Sequence, residues 1–208
     1  YWGLRYAFSA RDRARLEGEI VAQIERMLGL GLKPTHVDGH LNIHVHPVIF
    51  PILARLARRY GIARLRLPSG ELGPSLAYSR QSSAPRLSPS SLPYRLAISG
   101  VFGALGAALR GAGKGLEIPR SYGLLHSGLM TEDYLVWLIS RLPEGLTEIY
   151  LHPSSDPGSA VSGLPTPSHQ SITELRSLLS SSIRPALEAA GVSLAAEAGA
   201  PPSGAGSR

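Results

Sequence analysis

No strand-like run in this chain is followed by another across a short turn; a helix-length stretch always intervenes, and that alternation constrains the fold more than any other feature. Residues 10–31 place Leu16, Ile20, Ile24, Met27 and Leu28 at helical spacing, with Glu17, Glu19, Glu25 and Arg26 on other faces, before Gly29 and Gly31 end the helix. A strand over 34–38 follows. Pro47 suits a first helical turn, and Ile49, Ile52, Leu53, Leu56 and Tyr60 make the next apolar stripe, closed by Gly61. Residues 63–68 alternate as a short strand, and 122–128, 147–153 and 192–194 read as three more. Thr131, Glu132 and Asp133 open a helix through Leu135, Leu138 and Leu142, which Pro143 and Gly145 stop, and 171–190 predicts one final helix. Strands separated by helices pair in parallel, and functional groups then gather at their carboxyl ends. His40, Arg66, His126 and His152 all lie at or just past such ends.

The stretch 35–47, Thr-His-Val-Asp-Gly-His-Leu-Asn-Ile-His-Val-His-Pro, holds four of the seven histidines. Its even positions are polar and its odd positions mostly apolar, the alternation of a strand with one face toward a core and the other toward a site. His36, Asp38 and His40 would then leave the backbone on the same side. Gly39 and Asn42 tolerate left-handed geometry, so a turn from His40 to His46 is the expected end of that strand. Neutral imidazoles and a carboxylate at a strand end can bind a divalent ion. His36, His40 and His44 also stand at i, i+4 and i+8, where a helix would align them as a structural cluster. The β-branched Thr35, Val37 and Val45, with Gly39, favour the strand and with it a metal or catalytic site. Arg66 admits two readings, a surface arginine on an edge strand or a group pointing into a strand-end site.

A chain of 208 residues, 43% apolar, can build one sizeable core, and a single domain over 1–194 with a disordered tail over 195–208 is expected. Cysteine is absent, which excludes disulfides, thiolate zinc sites and cysteine nucleophiles. The net charge of +6 comes from scattered arginines; Arg55, Arg58 and Arg59 share one helix face, the pattern of a solvated surface. No nucleic-acid partner is expected from it, and an anionic membrane surface is the alternative. Residues 69–93 and 154–169, rich in Ser and Pro, predict long loops. Residues 96–109 are apolar but too short and too glycine-broken to span a bilayer; a buried helix is expected, with a membrane-dipping surface helix as the alternative. The chain opens at Tyr1, without methionine, and runs within a few residues into a helix, so it reads as the continuation of something.

The 35–47 stretch, the helix after it and Arg64-Leu65-Arg66-Leu67-Pro68 resemble the histidine-rich signature of the YdjC-like carbohydrate deacetylases. Residues 123–132 and 147–153 are similar more particularly to the branch associated with hopanoid biosynthesis, HpnK. The resemblance runs over most of 1–194. It implies a metal-dependent hydrolase that removes acetyl from an N-acetylated amino sugar, on a distorted (β/α) barrel incomplete here at its N-terminus. One divalent metal ion, magnesium or zinc, would be the cofactor. For the hopanoid branch the substrate would be an N-acetylglucosaminyl hopanoid lipid, and the location cytoplasmic with peripheral contact at the inner membrane. His40 matches a metal ligand of the family motif, and His152 matches a candidate general acid. The family's Asp-Asp-Phe-Gly strand and a Gly-x-His, which supply the other ligands and the base, have no counterpart in the chain. The expectation is therefore a C-terminal part of a longer protein, carrying one of three metal ligands and turning over little alone.

Amide hydrolysis needs a polarised carbonyl, an activated water and a proton for the departing amine. On the implied roles the ion supplies the first two, His152 delivers the proton, and Arg66 steadies the oxyanion or orients a carboxylate. Asp38 would accept a hydrogen bond from a histidine N–H, and His36, His44 and His126 would support the ligand or touch substrate. Two other readings stay open. One is a different metallohydrolase such as a phosphoesterase, although neither a glycine-rich loop before a helix nor a second metal is visible. The other is a metal- or lipid-binding module using the histidine turn and 96–109. The hydrolase reading requires His40 and His152 to face one cavity.

Overall fold

Residues 9–68, 71–81, 92–155 and 168–195 are described by a computed structural model, and they divide into two units, each with its own apolar core. The first comprises the described residues of Tyr1–Leu67, Val101–Pro119 and Ala195–Arg208, the second those of Pro68–Gly100 and Arg120–Leu194. In chain order the elements are α1 (Ala10–Gly29), β1 (His36–Val37), a 3-10 turn (His40–Val45), α2 (Ile49–Arg59), β2 (Arg64–Leu65) and α3 (Leu72–Ser79). They continue with α4 (Leu92–Leu109), β3 (Arg120–Tyr122), α5 (Glu132–Ile139), β4 (Thr147–Ile149), α6 (Ser168–Leu178) and α7 (Ile183–Ala189).

In the first unit Ser9 starts α1 by accepting the Asp12 N–H on its hydroxyl at 3.1 Å, which satisfies one of the donors a helix start leaves over. β1 and β2 pair in parallel, His36 opposite Arg64 and Val37 opposite Leu65, and Glu117 extends β2 through two backbone hydrogen bonds. Phe50, Ala54, Leu65 and Leu67 are fully enclosed, with Leu16 and Ile20 of α1 packed over them. Removing a side chain as enclosed as Phe50 costs about 3–5 kcal/mol. Ile24 joins Leu56, Ala57 and Ile62, but Met27 and Leu28 stay exposed because the last turn of α1 runs past that core.

In the second unit β3 and β4 are also parallel, Arg120 opposite Thr147 and Tyr122 opposite Ile149. Tyr78, Tyr122, Met130, Tyr134, Leu135 and Leu138 form the core beside them. Gly123, at φ 124°, lets the two strand ends close together, since a Cβ there would lie 2.2 Å from the Tyr150 carbonyl oxygen. Thr131 caps α5 by accepting the Tyr134 N–H.

The alternation of helices with parallel strands holds, and several local expectations do not. The expected loop over 69–93 contains α3, where Glu71, Ser75 and Tyr78 bury themselves despite the surrounding Ser and Pro. The helix expected to be buried over 96–109 is α4, of which Phe102, Leu105 and Leu109 form a core-facing stripe while Leu96 and Val101 are exposed. No described helix is long and apolar enough to cross a membrane. The single helix expected over 171–190 breaks into α6 and α7, because Ser180 offers its hydroxyl to the Ser182 N–H and its carbonyl to Ile183. Residues 192–194 are not a strand; past Gly191, at φ 64°, the Val192 N–H turns back to the Leu187 carbonyl and finishes α7. The strands are two or three residues long, in two separate pairs, and the described residues contain no closed sheet where a barrel was expected. Most of the 154–169 loop and of the 195–208 tail lies outside the described residues.

Candidate active site

One step past the β1–β2 register, Asp38 stands opposite Arg66, and the parallel pairing brings Oδ2 and Nη1 to 2.5 Å. The strand carries Asp38 to that position and the turn then folds back over it. His44 is the pin of the turn. It is 1% exposed; the Gly39 N–H donates to its Nδ1 at 2.9 Å, and its Nε2 lies 3.0 Å from the Arg66 carbonyl. A carbonyl can only accept, so Nε2 carries the proton and the ring is neutral. Burial pushes its pKa below the ordinary value, opposed by the hydrogen bond to Arg66. Gly39 has no room for a side chain, because a Cβ there would lie 3.0 Å from His44 Cβ and 3.1 Å from its amide nitrogen. Leu41 and Asn42 both take left-handed backbone, φ 53° and 56°, to complete the reversal.

The four histidines of 35–47 therefore divide. His44 is spent on the backbone, and His46 uses Nδ1 to accept the Val48 N–H at the start of α2. His36 and His40 are exposed; His36 Nδ1 is 3.2 Å from the Thr35 hydroxyl, and His40 has no hydrogen-bond partner among the described residues. Among the described residues no group of three or more His, Asp or Glu is arranged to hold a metal ion. Of the first unit's expected site residues, Asp38, His44 and Arg66 are brought together, with His36 in β1 and His40 at the first position of the turn, both exposed.

In the second unit the segment after β3 carries His126 and Ser127, and the segment after β4 carries His152. His126 is buried, stacked on Tyr134 at 3.8 Å between centroids and edge-on to Tyr78, with Nδ1 3.4 Å from Ser75 Oγ and 3.9 Å from Glu71 Oε1. Glu71 accepts the Gly123 and Leu125 N–H groups at 3.0 Å each, so it organises the turn on which His126 sits. His152 is exposed, with Tyr150 edge-on to its ring and Nδ1 3.5 Å from Ser127 Oγ. A second buried carboxylate, Glu174, accepts the Gly128 and His152 N–H groups, each at 2.6 Å. An imidazole whose Nδ1 is taken up by a hydroxyl presents Nε2 outward, where it can carry and release a proton.

Sequence reasoning missed Glu71, Ser75, Ser127 and Glu174. Glu71 and Ser75 stand beside a Ser- and Pro-rich run that read as loop, and Glu174 looks like an ordinary charged residue of a surface helix. Only Ser127 carried a signal, its place directly after a histidine at a strand end.

A family model described as YdjC-like protein matches residues 1–189. The chain is 33% identical over 143 residues to a carbohydrate deacetylase of Geobacillus stearothermophilus, covering 68% of this chain and 42% of that protein. It is 45% identical over 47 residues to a carbohydrate deacetylase of Brevibacillus brevis, covering 23% of this chain and 19% of that one. To a carbohydrate deacetylase of Mus musculus it is 40% identical over 70 residues, 32% of this chain and 23% of that one. The matches thus span less than half the length of these relatives. No solved structure matches the chain.

Proposed function

We propose a function on one premise: this chain belongs to the YdjC-like protein family. The reading is a carbohydrate deacetylase that hydrolyses the N-acetyl group of an amino sugar, in the hopanoid branch with an N-acetylglucosaminyl hopanoid lipid as substrate. The full fold would be a distorted (β/α) barrel, acting from the cytoplasm with peripheral contact at the inner membrane. The observation that carries the reading is His152, exposed past β4 with its Nδ1 beside Ser127.

Cleaving an amide requires that the amine leave protonated, and an outward Nε2–H is placed to provide that proton. Arg66, steadied by Asp38, is a fixed cation past β2 that can attract a developing oxyanion or a substrate oxygen. His44 gives no ligand, since both ring nitrogens are engaged, and it serves by holding the turn. Metal dependence belongs to the proposal. His40 would be one ligand, its ring exposed, and the described residues do not complete a ligand set around it. A divalent ion, magnesium or zinc, would polarise the acetyl carbonyl and activate water when bound.

The test is acetate release by the full-length protein from an N-acetylglucosaminyl lipid. His40→Ala is expected to abolish it, and His152→Ala to lower kcat by about 10²–10⁴-fold. Full turnover in His40→Ala, or phosphate release from a phosphoester with no acetate from the lipid, overturns the reading.

A further inference from the structure

A carboxylate shut away from water usually sits beside a cation, yet among the described residues none pairs with Glu174, which is 1% exposed. Both of its oxygens are spent on backbone instead, Oε1 on the Gly128 N–H and Oε2 on the His152 N–H. Gly128 lies past β3 and His152 past β4, so one side chain from α6 sets the spacing of the two segments that leave the parallel pair. The Ser154 N–H, donating to the Ser171 carbonyl at 3.3 Å, ties the post-β4 segment to α6 a second time. The consequence falls on the neighbours. Ser127, the residue before Gly128, has its Oγ 3.5 Å from His152 Nδ1, across the two segments that Glu174 joins.

We propose that Glu174 is a positioning residue: by clamping the Gly128 and His152 amides it holds the His152 imidazole against Ser127 and keeps Nε2 turned outward. A hydroxyl both donates and accepts, so Ser127 suits either state of the ring. To the neutral ring protonated on Nε2 it donates to Nδ1; from the cation, and from the neutral ring protonated on Nδ1, it accepts the Nδ1–H. Once water has added to the amide carbonyl, the C=O bond re-forms as the C–N bond breaks, its electron pair goes to nitrogen, and the cationic ring gives that nitrogen the Nε2 proton. It is left neutral with the remaining proton on Nδ1, still bonded to Ser127. This inference rests on the proton-donor reading of His152, and the test separates the two.

The full-length protein is assayed as wild type, Glu174→Gln, Ser127→Ala and His152→Ala on two substrates. One is an N-acetylglucosaminyl glycolipid, whose amine must be protonated to leave; the other is 4-nitrophenyl acetate, whose phenolate leaves without a proton. Gln keeps the volume of Glu but turns an NH2 toward one of the two amides. Glu174→Gln is expected to lower kcat on the amide by about 10–100-fold with KM nearly unchanged, and to leave ester hydrolysis within about twofold. Ser127→Ala is expected to lose less, and the double variant no more than Glu174→Gln alone. Unchanged amide turnover in Glu174→Gln beside a depressed one in His152→Ala overturns the positioning role alone. Wild-type amide turnover in His152→Ala overturns the proton-donor reading itself. Ring-nitrogen NMR shifts of His152 give a readout independent of turnover: one fixed tautomer in wild type and a mixture in Glu174→Gln. Identical ring shifts in both overturn the proposal. Should Glu174→Gln not fold, Ser127→Ala, which leaves the clamp in place, carries the same NMR comparison, and an unchanged ring there overturns it.

Discussion

His44 ties three parts of the first unit together with two ring nitrogens, because its partners, the Gly39 amide and the Arg66 carbonyl, come from before the turn and from past β2. His44→Ala would leave both backbone groups, which are partly buried, without this partner, at about 1–2 kcal/mol each, the lower part of the range for a group shut from water. Urea unfolding is therefore expected to show a loss of about 2–4 kcal/mol. The pH dependence follows from the direction of the pKa, which burial lowers in the folded state. Below the ordinary histidine value the unfolded chain takes up a proton that the folded ring resists. The stability His44 provides is thus complete above about pH 6.5 and is lost as pH falls from there through the folded pKa. Wild type should lose stability over that window, and His44→Gln should lose less of it, measured as the difference in urea midpoints across pH. At this scale the sequence gathered histidines and Asp38 near one strand end and did not say what each nitrogen touches. The period-two pattern of 35–47 brought His36, Asp38 and His40 to one strand end, but the partner of His44 is a carbonyl 22 residues away, and no spacing rule reaches that far.

At the scale of elements, what the sequence made legible is what local chemistry decides. Thr131 followed by Glu132 and Asp133 predicted a helix start, and α5 begins there with the Thr131 hydroxyl accepting the Tyr134 N–H. Thr131→Ala should cost about 1 kcal/mol, read as a lowered melting temperature. The glycines at turns divide by reason. Gly61, at φ 69°, ends α2 as expected, where a left-handed residue is needed and space is open. Gly123 has both a positive φ and the Tyr150 carbonyl oxygen against its missing side chain, so Gly123→Ala must push β4 away from β3. A loss of about 3 kcal/mol or more, or failure to fold, is the expected result by chemical denaturation; a variant of wild-type stability would show that the strand ends are not held this close. The misread elements have a common cause, weak local signals overridden by packing. The α3 helix lies in a Ser- and Pro-rich run and forms because Tyr78 and Ser75 have a core to enter. The break between α6 and α7 turns on Ser180, which is tolerated in helices and here bonds locally instead.

At the scale of the molecule, alternation of helices with strands correctly implied parallel pairing, and it said nothing about how many strands join. Two pairs exist among the described residues, each with polar groups past its carboxyl ends: Asp38 and Arg66 in one unit, Ser127 and His152 in the other. Buried Glu71 and Glu174 were illegible because their partners are backbone amides of distant segments, and a carboxylate that serves main chain looks in sequence like one that serves solvent. This has a consequence for metal removal. A structural metal supplies folding free energy, and its chelation unfolds the protein, whereas a catalytic one sits on a scaffold that stands without it. Here the histidine turn is held by His44, Gly39 and the Asp38–Arg66 pair over a core of Phe50, Leu65 and Leu67, and the proposed ligand His40 takes no part in that support. Treating the full-length protein with EDTA is therefore expected to abolish acetate release while moving the melting temperature by less than about 2 °C, and added zinc or magnesium should restore turnover. Acetate release that persists after exhaustive chelation would remove the ion from the mechanism, and a collapse of the melting temperature in step with activity would make it a part of the fold.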